Sequence, residues 1–215
     1  MRSEAGRRAA AAIAFTLALA GSLLARAPVI DRVLAVVSGT IVTLSDVHAA
    51  IALGLVNTAG AADPVGSALE QLIERTLMLA EVERYAPPEP EKAQVEARVR
   101  DVRARFPGDA AFRDTLTAYG LDEDRLRAIA RDDLRLQTYL DQRFASAAEA
   151  SPDDVQTYYR EHASEFTRDG APLPLAAVEQ DIRQRIAADR RRALIDEWSL
   201  GLRLRADVIV VPRGD

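Results

Sequence analysis

Two short β-branched segments at opposite ends of the chain constrain the fold more than any other feature. The first is VLAVV at 33–37, followed by Ser38-Gly39 and a second β-branched stretch at 41–43; the other is VIVV at 208–211. Gly39 can take the positive φ of a tight turn, so the first segment predicts a hairpin. A lone strand leaves backbone groups unsatisfied. The sequence therefore predicts that 208–211 pairs with 33–37, closing the two ends into one small sheet.

The chain between these segments is predicted to be helical, because its apolar residues recur at three- and four-residue steps. Ser45 has the chemistry of a helix N-cap with Asp46 in the first turn, and Ser151 followed by Pro152 begins a later helix in the same way. The predicted helices run over about 45–56, 64–85, 91–106, 112–119, 126–145, 151–166 and 175–206. The expected fold class is mainly α, a helical domain with a small sheet formed by an N-terminal hairpin and a C-terminal strand.

The first 27 residues have the pattern of an export signal. Three arginines within the first eight residues make a basic head, an apolar run follows at 9–24, and Ala25-Arg26-Ala27 fits a small-residue cleavage site. These features predict that residues 1–27 are a signal peptide removed on export, with no stable membrane insertion afterwards. An uncleaved anchor is the alternative, because the apolar run approaches the minimum length of a membrane span.

Charge and composition exclude several classes of function. The formal net charge is −5, and removing residues 1–27 makes the chain more acidic because that segment holds four arginines and one glutamate. An acidic chain argues against nucleic acid as a partner, since phosphate backbones are bound through clustered positive charge. The sequence contains no cysteine, which excludes disulfides, cysteine-ligated metals and a lipid anchor on cysteine.

No constellation of residues indicates catalysis. His48 and His162 both lie far in sequence from any nucleophile partner; His162 is expected to be a structural residue beside Tyr158 and Tyr159, and His48 is expected to be exposed. The acidic triplets occur where helices begin, a position that the helix dipole explains. We therefore predict no catalytic residue, no cofactor and no metal site.

Two features fit a binding function as well as ordinary structure. Arginines 190–192 could meet an anionic partner, or form a solvated helix face balanced by Asp181, Asp196 and Glu197. Aromatic residues could line a groove for an extended polypeptide, although each also has the spacing of a core residue. The candidate client-binding residues are Phe106, Phe112, Tyr119 and Phe144.

A resemblance to a known family follows from the opening motif. The segment 31–47, DRVLAVVSGTIVTLSDV, resembles the start of the SurA-type periplasmic chaperones, in which an Asp, a strand, a short turn and a Ser-Asp helix start occur together. Later segments agree in order, with LIERTLML at 72–79, RDDLRLQ at 131–137, PDDVQTYY at 152–159 and a closing helix with Trp198 before a strand. The resemblance spans the chain after the signal and implies a peptide-binding domain similar to the SurA N-terminal and trigger-factor domains.

One departure from that family bears on function. The resemblance implies one or more parvulin-type prolyl isomerase domains inserted after a Glu-Phe pair, which here is Glu165-Phe166. This chain has only residues 167–174 before its closing helix, and eight residues cannot hold a folded domain. We therefore expect one chaperone core domain over 28–215, with a main helical part at 28–166, a linker at 167–174 and a closing helix and strand at 175–215.

The expected function is that of a periplasmic chaperone without catalysis. Its expected partners are unfolded or nascent exported polypeptides, outer-membrane β-barrel precursors among them, since such precursors expose aggregation-prone strand edges. Two alternatives stay open. One is a peptidyl-prolyl cis-trans isomerase or a subunit that assists one; the other is a dedicated adaptor for a single exported partner.

Overall fold

The computed structural model describes residues 31–146, 149–168 and 171–212, so the predicted signal peptide lies outside the described residues. The strands are β1 (Val33–Val37), β2 (Thr40–Thr43), β3 (Thr167–Arg168), β4 (Ala171–Pro172) and β5 (Val208–Val210). The helices are α1 (Leu44–Ala52), α2 (Pro64–Tyr85), α3 (Lys92–Arg103), α4 (Asp109–Ala118), α5 (Glu123–Phe144), α6 (Pro152–Glu161) and α7 (Leu175–Arg205). None of these helices is both long enough and apolar enough to cross a membrane.

The described chain ends pair in an antiparallel sheet of order β2-β1-β5. Val36 lies opposite Ile41 on one side and opposite Ile209 on the other. The turn between β1 and β2 has two residues with positive φ, Ser38 at 48° and Gly39 at 87°, which suits the right-handed twist of a hairpin. The predicted mainly α fold and the predicted sheet between the chain ends are both confirmed.

The start of α1 differs from the prediction by two residues. Thr43, not Ser45, is the N-cap: its hydroxyl accepts from the Asp46 backbone N–H, and Asp46 accepts from the Thr43 backbone N–H at 2.9 Å. Thr43 is the N-cap because strand β2 runs directly into α1, with no linker residue between them. Ser45 instead donates its backbone N–H to Asp31 at 3.2 Å, which ties the opening of the described chain to the helix start.

Three helices end earlier than their apolar patterns predict. The α6 helix stops at Glu161 and not at Phe166, because the chain tightens into a 3₁₀ turn over Ala163–Phe166. The α1 helix stops at Ala52 and not at Val56, because Leu55 donates to the Ala50 carbonyl and Gly54 takes a φ of 64°, a typical helix-ending turn. The α3 helix likewise ends at Arg103, before Phe106. In all three cases the apolar residues beyond the helix end still pack inward. Their spacing therefore continues the helical pattern into the turn.

Three clusters of buried side chains hold the molecule together. The first lies between the sheet, α2 and the C-terminal part of α7, and includes Leu34, Val42, Ile73 and Leu202. The second lies among α3, α4 and α5 around Phe112. The third is smaller, and it joins α6 to the N-terminal part of α7 through Val155, Phe166, Val178, Ile182 and Ile186.

The predicted linker at 167–174 contains a short hairpin, since β3 pairs with β4. It connects α6 to α7, and Tyr159 donates its hydroxyl to the Leu173 carbonyl at 2.5 Å.

The arginine run on α7 has different partners from those expected. Arg190 pairs with Asp154 at 2.6 Å, Arg191 pairs with Asp141, and Arg192 lies 3.7 Å from Asp189. The expected balance by Asp181, Asp196 and Glu197 is therefore wrong, because two of these arginines reach other helices.

Candidate functional site

A cleft lies where α1 and β2 face α2 and α5. Its volume is about 450 Å³, within the range of ligand-binding pockets. The cleft is lined by Thr40, Ile41, Val42, Asp46, Ala49, Ala50, Leu55, Val56, Leu72, Arg75, Thr76, Leu79, Ala80, Glu83, Leu121, Arg125, Ile129, Asp132 and Asp133. Its elements are thus distant in sequence, and packing alone brings them together.

The cleft has an apolar floor because α2 is apolar on more than one face. Ile73 and Leu77 point into the first core cluster, while Leu72 and Leu79, seven residues apart, line the cleft. Thr76 lies between them and donates its hydroxyl to the Leu72 carbonyl at 2.7 Å. That bond satisfies the hydroxyl within the helix. The floor therefore presents aliphatic surface and no free hydroxyl donor from Thr76 to a ligand.

The rim of the cleft is charged and fixes α2 to α5. Arg75 forms an ion pair with Asp133 at 2.8 Å and donates to the Ile129 carbonyl at 3.3 Å. Further along α2, Glu83 accepts from Arg135 at 2.5 Å. The hydrogen bond from Arg135 lowers the pKa of Glu83, and the same bond raises the pKa of Arg135. Glu83 therefore stays ionised near neutral pH, and the two ion pairs hold α2 and α5 together.

The wall formed by β2 is open to solvent. Ile41 is 56% exposed although it is a large aliphatic residue at the centre of the hairpin strand. Val42, the next residue, is buried against the first core cluster. The exposed isoleucine therefore marks the place where apolar surface of the cleft continues to the outside of the molecule.

The side chains of this cleft are suited to noncovalent contacts. Its lining holds carboxylates, arginines, threonines and aliphatic residues, and it contains no histidine, cysteine, serine or lysine. A nucleophile paired with a base is the usual sign of covalent catalysis, and this lining offers none. Among the described residues no group of histidine and acidic side chains is placed to hold a metal ion.

The four residues predicted to contact a client do not form one surface, although two of them pack against each other. Phe106 packs edge-on against the fully buried Phe112 with ring centroids 5.6 Å apart. Tyr119 lies beside His48, and Phe144 packs against Trp198 at 5.8 Å. None of the four lines the cleft. As client contacts they stay predictions, and their positions in the structure are those of packing residues.

The two histidines also differ in part from expectation. His162 caps the end of α6, half-buried, and its ring stacks on Tyr158 at 3.9 Å while Nδ1 lies 3.0 Å from the Tyr158 carbonyl. His48, expected to be exposed, is half-buried with its ring 6.4 Å from that of Tyr119. Both histidines have structural neighbours that account for them.

Sequence reasoning missed the residues that form the cleft. Leu72 and Ile129 fit the apolar spacing of their helices and were indistinguishable from core residues, and Ile41 fits a hairpin strand. One signal was available: α2 carries aliphatic residues at Leu77, Met78 and Leu79 in succession, and one buried stripe cannot hold three consecutive residues. The width of its apolar face indicated a second contact surface.

The fold is that of a SurA-like chaperone. A solved structure from Campylobacter jejuni has this fold; it comes from work on the virulence factor PEB4 and the periplasmic protein Cj1289, described as two structurally related SurA-like chaperones. It matches with a TM-score of 0.55 over 85% of this chain and 100% of that chain, at 10% sequence identity. No protein-family model and no curated protein matches the sequence. The resemblance predicted from the opening motif is thus confirmed for the fold.

Proposed function

We propose that this protein is a periplasmic chaperone that holds unfolded exported polypeptides, outer-membrane β-barrel precursors among them, and that it does so without catalysis. The observation that carries the proposal is the open apolar cleft between α2, α5 and β2. An unfolded polypeptide exposes aliphatic side chains that would otherwise associate with one another. A cleft with an aliphatic floor and a charged rim can cover such side chains and leave the rest of the chain in water.

The fold supports the same function. The solved structure of a SurA-like chaperone from Campylobacter jejuni matches this fold over its whole chain. The region where the resemblance implies an isomerase domain is here a short hairpin, β3 and β4. Export by the predicted signal peptide would place the chain in the periplasm, where outer-membrane precursors pass.

The proposal is tested by placing a charge on the cleft floor. Leu79→Glu puts a carboxylate among Leu72, Thr76 and Ile129, and a client's aliphatic side chain would then have to desolvate it. We expect at least a fivefold loss of protection when an unfolded outer-membrane β-barrel precursor is diluted from denaturant and its aggregation is followed by light scattering. The expected loss corresponds to about 1 kcal/mol of binding free energy.

The matched control is Leu200→Glu, the same change on α7 at a leucine that is 59% exposed and does not line the cleft. It should protect the precursor like the parent protein. If Leu79→Glu keeps the parent melting temperature and still protects fully, the cleft is not the client site. Acceleration of cis-trans exchange in a proline peptide by the purified protein would instead favour the isomerase, and one stoichiometric partner in a periplasmic pull-down would favour the adaptor.

A further inference from the structure

The open edge of β2 carries unpaired main-chain groups beside the cleft. In an antiparallel ladder, the residues of one strand direct their N–H and C=O groups alternately to its two sides. On β1 the even positions face β5, because Ser38 donates to the Asp207 carbonyl at 2.7 Å and Leu34 accepts from Val211 at 2.8 Å. Val36 therefore also faces β5.

The consequence for β2 follows from the register. Ile41 lies opposite Val36, and since Val36 bonds away from β2, the N–H and C=O of Ile41 point to the outer edge. Within the described chain β2 pairs only with β1. Two residues further on, the outward N–H of Thr43 is already bound by Asp46 at 2.9 Å. The open edge is thus short and is centred on one residue, Ile41.

A strand added at this edge would direct its side chains to two different surfaces. Directly opposed residues share a sheet face, so the residue opposite Ile41 would lie on the outer face, beside the apolar row of Ile41, Val36 and Ile209. Its two neighbours would lie on the inner face, which is the face of Thr40 and Val42. Both of those residues line the cleft, as does Ile41 at the edge itself. Alternate side chains of an added strand would therefore enter the cleft.

The charges that line the cleft favour a cationic segment. The lining includes four carboxylates, those of Asp46, Glu83, Asp132 and Asp133, and two guanidinium groups, those of Arg75 and Arg125. Four negative and two positive charges leave two negative charges in excess. The guanidinium group of Arg135, which pairs with Glu83 and lies 4.0 Å from Asp132, reduces that excess to one. An added strand that carried an arginine or lysine near the rim would complement this excess, whereas an acidic one would be repelled.

We propose that an extended segment of client polypeptide binds by adding to β2 as a further strand, with its main chain paired to Ile41, its alternate aliphatic side chains in the cleft and a basic side chain at the rim. This inference rests on the proposed chaperone function and states how the client is held. Strand addition to an exposed sheet edge obtains affinity from main-chain bonds and selectivity from pockets for alternate side chains. A cleft alone would accept helical and irregular segments equally well.

The test is a binding measurement with a labelled peptide of alternating valine and serine and one arginine, followed by fluorescence anisotropy. A second peptide of the same sequence carries N-methyl groups along one edge, which remove its donors on that side. A third has glutamate in place of arginine. We expect N-methylation to weaken binding about two- to tenfold, the usual worth of one or two hydrogen bonds. We expect the glutamate peptide to bind more weakly, with the difference shrinking in high salt.

Two protein variants test the same edge. Ile41→Pro removes the outward N–H without removing a bond to β1, and proline is tolerated at such edge positions. Ile41→Ala shortens the side chain and keeps the N–H, so it is the matched control. Because proline removes the bond from the Ile41 N–H to a peptide carbonyl, it should weaken binding of the unmethylated peptide about two- to tenfold. Alanine keeps that bond, so it should bind the unmethylated peptide more tightly than proline does. If proline unfolds the hairpin, as circular dichroism and the melting temperature would show, the peptide series on the parent protein still decides the question.

The outcomes separate this inference from the proposed function. If the methylated and unmethylated peptides bind equally well to the parent protein, and Leu79→Glu still abolishes binding of both, strand addition is wrong and the cleft function stands. If no peptide binds and Leu79→Glu protects the precursor fully, the proposed function fails as well. The inference is supported if N-methylation weakens binding to the parent protein and Ile41→Pro binds the unmethylated peptide more weakly than Ile41→Ala does.

Discussion

The two ends of α7 lie in cores of different kinds. At its C-terminal end, Leu202 is part of the first cluster, which combines β1 and β2 from the opening of the described chain with α2. At its N-terminal end, Val178, Ile182 and Ile186 pack on α6 and on the turn at Phe166, all within a short stretch of sequence. The first core exists only when distant parts of the chain have met. The second needs only its own segment.

More ion pairs lie at the N-terminal end of α7 than at its C-terminal end. Around the smaller core, Arg190 pairs with Asp154, Arg185 with Glu165 at 2.9 Å, and Arg183 donates to the Ala150 carbonyl at 2.8 Å. Such partly exposed pairs contribute little free energy each, so they orient α6 on α7 more than they stabilise it. We therefore expect the small core around α6 to open locally, and we expect the core beneath the sheet to determine global stability.

The largest expected effect follows from removing β5. A chain that stops after Ala206 leaves the even positions of β1 without partners and uncovers Val37 and Leu34, which are nearly or fully buried. Lost ladder bonds and lost apolar cover together should lower Tm by on the order of 10 °C and reduce protection of an unfolded client, because β2 depends on β1 for its position. Differential scanning calorimetry measures the first effect and light scattering the second.

The control for this truncation is a chain that stops after Pro212, which keeps β5 complete. It should melt like the parent protein. A truncation after Ala206 that melted at the parent temperature and protected a client normally would show that the sheet does not hold the fold together, and the contrast between a sheet core and a local core would be lost.

An intermediate effect is expected from Ile182→Ala, with Ile73→Ala as its counterpart. Both isoleucines are fully buried, and each change should cost about 2–5 kcal/mol in the core that holds it. Because Ile182 lies in the small core, its loss should speed amide exchange in α6 and in the first half of α7 and leave α2 protected. Ile73→Ala should speed exchange throughout the described chain. Equal loss of protection in α2 for both variants would mean that the two cores unfold as one unit.

The same comparison explains which features the sequence could predict. The pairing of 208–211 with 33–37 followed from two isolated β-branched runs, each unable to satisfy its backbone alone, and the helices followed from apolar spacing. The N-cap at Thr43 was missed because the choice between Thr43 and Ser45 depends on where the hairpin ends. The partners of Arg190 and Arg191 were missed because they lie on other helices.

The cleft could not be read from the sequence for a related reason. Its floor residue Leu79 and its wall residues Ile41 and Ile129 each satisfy a local pattern, and only the packing of α2 against α5 and β2 leaves a gap between them. The spacing of apolar residues along the chain determines which segments form helices and strands. A concave site instead depends on the space that those helices and strands leave between them when they pack. The aromatic residues chosen from sequence illustrate this, since Phe112 became part of a core.

The smallest expected effect tests the ion pair that orients α6 on α7. Arg190 and the capping Ser151 lower the pKa of Asp154 far below its ordinary value, with the bond from Arg190 the largest cause. A carboxyl whose pKa is lowered by folding adds stability that is complete above its unfolded pKa, about 3.9, and is lost as pH falls through the folded value.

Asp154→Asn, which cannot ionise, should therefore lower Tm by roughly 1–3 °C at pH 7, and this difference should shrink as pH falls below about 4. Asp153→Asn, one residue earlier in the same helical turn, removes the same charge near the helix N-terminus but no ion pair to an arginine in the described chain, so it should lower Tm less than Asp154→Asn does. If the difference in Tm between Asp154→Asn and the parent protein did not depend on pH, the effect would come from capping geometry. The charge of Asp154 would then not stabilise the contact between α6 and α7.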